Sequence, residues 1–134
     1  MRVGFWLDWN SRVQDEMRMH RQTLELFVFE HDIQVVHIEN ERDIAAFDGD
    51  MLTFDYGGIT GGYGPNRIVP VVIAGVRDWC DRNPDRLAVM WCTFEPKWYL
   101  QDFKHAGGIP LNLRCWHRST RDAIIKTLRD HYVR

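Results

Sequence analysis

The chain has 134 residues, of which 45% are apolar and 27% charged, and its formal net charge is −2. That length and balance fit one globular domain over residues 1–134, with a core large enough to need no disulfide staples. They argue against a strongly basic nucleic-acid binder, a basic membrane-surface protein and, with no apolar run of spanning length, a helical membrane protein. The three cysteines, Cys80, Cys92 and Cys115, form no Cys-x-x-Cys pair. An odd count without a leader segment points to reduced thiols and a cytoplasmic protein.

Val3 to Leu7 is a short apolar run, as expected of a strand buried on both faces. Ser11 with Gln14 forms a capping box. Val13, Met17, His20, Leu24, Phe27 and Val28 then follow at helical spacing, predicting a helix to about Glu30. His20 on that stripe reads as a packing histidine. Gln34 to Ile38 is a β-branched second strand, and Asn40 with Asp43 marks a short helix whose apolar side is Ile44, Ala45 and Phe47. Met51 to Phe54 is the third strand, closed by Asp55. Five glycines crowd residues 56–65, a loop composition.

A long helix is predicted from Asn66 or Pro70 to Arg82, with Val69, Val72, Ile73, Val76, Trp79 and Cys80 on its apolar face. Leu87 to Cys92 is the fourth strand, ending at Thr93. Pro96 opens a helix through Ala106, closed by Gly107 and Gly108. Leu111 to Cys115 is a weaker fifth strand. Ser119 with Asp122 starts the last helix, with Ile124, Ile125 and Leu128 inward.

Strand and helix thus alternate five times. This predicts an α/β fold: a doubly wound, five-stranded parallel sheet in the flavodoxin-like order 2-1-3-4-5, with helices on both faces. In that order strands one and three are neighbours at the switch point, where ligands of open α/β sheets bind. Asp8 and Asp55 follow those two strands. Two nearby carboxylates repel unless one is protonated or a cation sits between them, and hard oxygen ligands suit Mg²⁺. Asp8 and Asp55 are therefore the candidate metal ligands. Thr93, after strand four, and Arg114 or His117, around the end of strand five, complete a rim suited to phosphate oxygens. Trp9, Gly57 and Gly58 are the candidate walls of the crevice.

These residues resemble those of response-regulator receiver domains, and the likeness in element order runs over nearly the whole chain. In receivers an acidic pair follows strand one, a phospho-accepting Asp ends strand three, a Ser or Thr ends strand four and a Lys-Pro ends strand five. Here Asp8 matches one member of the acidic pair, Asp55 the acceptor and Thr93 the hydroxyl. Arg114 stands nearest to the lysine by spacing, with His117 the second candidate. A receiver-like branch inferred to process cyclic phosphates shows Leu-Asp-Asp followed by Arg, then Leu-Asp-His-Asp, then His-Ser-x-Asn-Pro. This chain has Leu7-Asp8-Trp9 with Arg12, then Phe54-Asp55-Tyr56-Gly57, then Cys92-Thr93-Phe94-Glu95-Pro96. The positions line up, while the second acid, both histidines and the second strand-three Asp are replaced.

The resemblance implies a cation and phosphate site, with Asp55 as a phosphoacceptor or with phosphoester chemistry in degenerate form. The ligand would be a phosphate-containing small molecule. The alternative is an inactive pseudo-receiver that binds a partner protein or a nucleotide. Trp9, Tyr56, Tyr63, Phe94, Trp98 and Trp116, near the predicted carboxyl edge, suit the stacking of a base as well as ordinary packing. Phe54-Asp55-Tyr56-Gly57-Gly58-Ile59 is also similar to the first motif of haloacid-dehalogenase phosphatases, but it stands on the third strand and no Asp-Asp comes after it.

Overall fold

The computed structural model describes residues 1–6, 18, 21–22, 24, 33–55, 68–92, 99–112 and 118–132, with the backbone alone at 55, 68–69, 91–92, 99–100, 111–112, 118–121 and 123–125. Five strands form one sheet: β1 (Arg2–Trp6), β2 (Gln34–Ile38), β3 (Met51–Asp55), β4 (Leu87–Cys92) and β5 (Ile109–Asn112). Three helices have described bounds: α1 (Ile68–Arg82), α2 (Tyr99–His105) and α3 (Arg118–Tyr132). Arg18, Arg21, Gln22 and Leu24 are helical as well. The strand order is β2-β1-β3-β4-β5 and every pairing is parallel, as predicted.

Apolar residues on both faces explain why the strands read as near-continuous apolar runs. Successive residues of a strand point to opposite faces. Leu52, Phe54, Ala88 and Met90 therefore join Val72, Ile73, Val76 and Trp79 of α1 and Phe103 of α2 in one cluster. Met51 and Val89, with Val3, join Leu24, Ile33 and Leu128 in the other. Thr53 is buried among them, and its hydroxyl donates to the Gly4 carbonyl at 3.0 Å.

Several expected boundaries shift. Asn40 does act as a cap, accepting from Arg42 N at 3.2 Å, but the element it opens is a single 3-10 turn over Glu41–Asp43. β5 begins at Ile109, two residues before the expected start at Leu111. The strand thus includes Pro110, which has no N–H to give the ladder. β5 is an edge strand, where a missing N–H is tolerated, and Ile109 already pairs with Val89. Ser119 lies inside α3 and does not cap it, since the helix already includes Arg118. The expected close of α2 at Gly107 and Gly108 holds. Gly107 takes φ +103°, its N–H donates to Lys104 O at 3.0 Å, and Gly108 N–H donates to Phe103 O at 2.9 Å. That pair of bonds is the left-handed glycine termination of a helix.

The loop before β3 is clamped in a way no periodicity announces. Four consecutive carbonyls each accept a side-chain donor from a different part of the chain. Phe47 O accepts from Trp79 Nε1 at 2.9 Å and Asp48 O from Arg2 Nη1 at 2.7 Å. Gly49 O accepts from Arg86 Nη1 at 2.5 Å and Asp50 O from the Tyr132 hydroxyl at 2.9 Å. Carbonyls at a tight strand entry need partners when water is displaced, and side chains supply them here. The amino end of β3 is thereby held to β1, the turn before β4, α1 and α3.

Candidate functional site

The candidate site lies at the opposite, carboxyl edge. β1 and β3 are hydrogen-bonded neighbours, with Trp6 opposite Phe54. β3 then runs one residue further, to Asp55, which stands opposite Trp91 of β4. On the far side Cys92 stands opposite Asn112 of β5. The carboxyl ends of strands one, three, four and five thus lie side by side, with Asp55 closing an interior strand. β3 ends on this carboxylate because Met51 to Phe54 are all buried and the apolar run stops there.

In the chain Asp8 comes two residues after the end of β1, Thr93 directly after β4 and Arg114 two residues after β5. His117 immediately precedes α3. Asp8, Trp9, Gly57, Gly58, Thr93, Arg114 and His117 lie outside the described residues, as does the side chain of Asp55. The sheet order thus supplies the neighbouring strand ends expected of the site. Among the described residues no three His, Cys, Asp or Glu side chains gather into a group that would hold a metal ion.

Reading the sequence alone missed the residues that seat β3 from its other end: Arg2, Arg86 and Tyr132. The one available signal was Trp79, whose buried indole N–H requires an acceptor. Tyr132 donates to Asp50 O and also accepts from Leu87 N at 2.7 Å, so one hydroxyl ties the entries of β3 and β4. Burial pushes its phenol well above the usual range, with the Asp50 charge adding to the effect, so it keeps its proton.

The other clearly shifted group is Cys80, on the inner side of α1. Burial first, and the neighbouring Asp81 carboxylate second, push its thiol up to about 11 from 9.0. The folded state therefore favours the neutral thiol. That preference stabilises the fold below pH 9 and is lost as pH rises towards 11. Alkylation of Cys80 at pH 8 is expected to run on the order of 10–100-fold slower in the folded than in the denatured chain, since the thiolate is the nucleophile. Mass-spectrometric readout of the Cys80 peptide isolates it from Cys92 and Cys115, and equal rates in the two states would contradict this environment.

No family model and no curated protein matches the chain. Solved structures do. A Burkholderia thailandensis protein described as a pilus assembly protein aligns at TM-score 0.63 and 13% identity, over 97% of this chain and 98% of its own. A response-regulator receiver domain from Methanospirillum hungatei aligns at TM-score 0.58 and 12% identity, over 97% and 94%. The Vibrio cholerae chemotaxis protein CheY4 aligns at 0.56 and 16%, over 96% of both chains. The chain therefore has a doubly wound, flavodoxin-like α/β fold. More narrowly, its fold is that of the response-regulator receiver (CheY-like) domains. No described helix is long and apolar enough to cross a membrane.

Proposed function

We propose that residues 1–134 act as one receiver-like domain with an acidic cation and phosphate site at the carboxyl ends of β1 and β3. The observation that carries this reading is the adjacency of those strands, with Asp55 as the last residue of the interior strand β3. Asp8 and Asp55 are the ligands of a Mg²⁺ ion, for which a pair of carboxylates is a suitable donor set. A bound Mg²⁺ would neutralise phosphoryl oxygens. Asp55 offers the carboxylate that accepts a phosphoryl group or assists phosphoester chemistry. Thr93 and one of Arg114 and His117 donate to its oxygens, while Trp9, Gly57 and Gly58 wall the crevice. The partner is a phosphate-containing small molecule or another protein, and the compartment is the cytoplasm.

Titration with Mg²⁺, followed by tryptophan fluorescence and melting temperature, tests this reading. The parent protein is expected to respond to millimolar Mg²⁺ or tighter, and Asp55→Asn to lose the response. No response in the parent sinks the proposal.

One feature of the chain favours a second reading. Trp9 and Gly57 occupy positions where the resembling families carry acids, and no Lys-Pro comes after β5. A pseudo-receiver that binds a partner protein or a nucleotide without turnover needs none of those groups. Under that reading Asp55→Asn leaves partner binding unchanged, so its loss in a pull-down would refute it.

A further inference from the structure

We propose that α3 is a separately opening cover over one face of the sheet, latched at its carboxyl end by Tyr132. The two faces of the sheet differ in their dependence on this helix. The larger apolar cluster draws on β1, β2, β3, β4, α1 and α2, and among the described residues it contains none from α3. The smaller cluster includes Leu128 and packs against Tyr132. Lifting α3 therefore leaves the larger cluster and the ladders of all five strands in place. Cooperative units that open below the global unfolding free energy have this character.

Polar ties from the final turn of α3 reach the entries of β3 and β4. The Tyr132 hydroxyl bridges Asp50 O and Leu87 N, and the neighbouring His131 Nε2 donates to Asp85 O. The rings of His131 and Tyr132 meet edge to face, with centroids 4.8 Å apart. The latch hydroxyl is a donor and an acceptor at once, so its removal takes a partner from both the Asp50 carbonyl and the Leu87 N–H. The latch and the loop clamp share Asp50, which means that opening α3 also releases one of the four held carbonyls.

Native-state hydrogen exchange on the full chain at increasing low denaturant tests the proposal. The α3 amides are expected to exchange through an opening with a smaller denaturant slope than those of Leu52, Phe54 and Val89. Tyr132→Phe is expected to speed α3 exchange about tenfold or more while the strand amides change less than twofold. Coincident isotherms for α3 and the strands in the wild-type protein overturn the proposal. So does a Tyr132→Phe chain in which α3 exchange is unchanged or the strand amides accelerate equally. If Tyr132→Phe fails to fold, the wild-type isotherms alone decide.

Discussion

Trp79→Ala is expected to destabilise the protein by about 3–5 kcal/mol, the usual range for emptying a large aromatic site in a core. Trp79 is fully buried on α1, within the cluster formed by Leu52, Phe54, Ala88 and Met90. Truncation removes that packing and also strips Phe47 O of its indole donor. The two losses can be separated. Trp79→Phe refills part of the volume without an N–H and should cost less than the alanine variant, with the unpaired carbonyl contributing about 1–3 kcal/mol. Urea midpoints with unchanged slope would measure both. A Trp79→Ala cost below about 1 kcal/mol would contradict the packing of α1 on the sheet.

The second large effect is expected at Gly108. A β-carbon built there would lie 2.2–2.5 Å from three ring atoms of Phe103. That ring has no room to retreat: it is fully buried and meets Phe54 edge to face, with centroids 5.7 Å apart at 74°. Gly108→Ala should therefore cost about 1–3 kcal/mol or more by overpacking. The clash predicts a coupling that simple loss of flexibility does not. Adding Phe103→Leu should relieve part of the Gly108→Ala penalty, so the double variant will be more stable than the sum of the singles implies. Strict additivity in thermal melts would place the clash elsewhere. Gly107→Ala is a useful contrast. Its penalty comes mainly from the backbone at φ +103°, which a side chain disfavours, and Phe103→Leu should not relieve it.

The candidate site was legible as topology and no further. The first and third apolar runs stop at Leu7 and Phe54, each followed by an aspartate, and the alternation of strands with helices predicts parallel pairing, so Asp55 at the carboxyl end of an interior strand follows from local pattern plus crossover handedness. The other candidate residues follow the strands in the chain, where strand periodicity carries no information. Asp8, Thr93, Arg114 and His117 are named by chain position for that reason.

What the sequence determined alone was the succession of elements. Apolar runs such as Met51–Phe54 and Leu87–Cys92, and the amphipathic spacing of Val72, Val76 and Trp79, are local patterns and need no distant partner to be read. The α/β class and the order 2-1-3-4-5 come from them. Tertiary structure alone decided how the sheet's amino edge is closed. Arg2, Arg86 and Tyr132 reach carbonyls 46, 37 and 82 residues away. Polar side chains of this kind have no periodic signature, and which carbonyl each one meets depends on the folded path of the whole chain. The early start of β5 belongs here too: Pro110 is acceptable only because its strand lies at the edge, and an edge is a property of the assembled sheet.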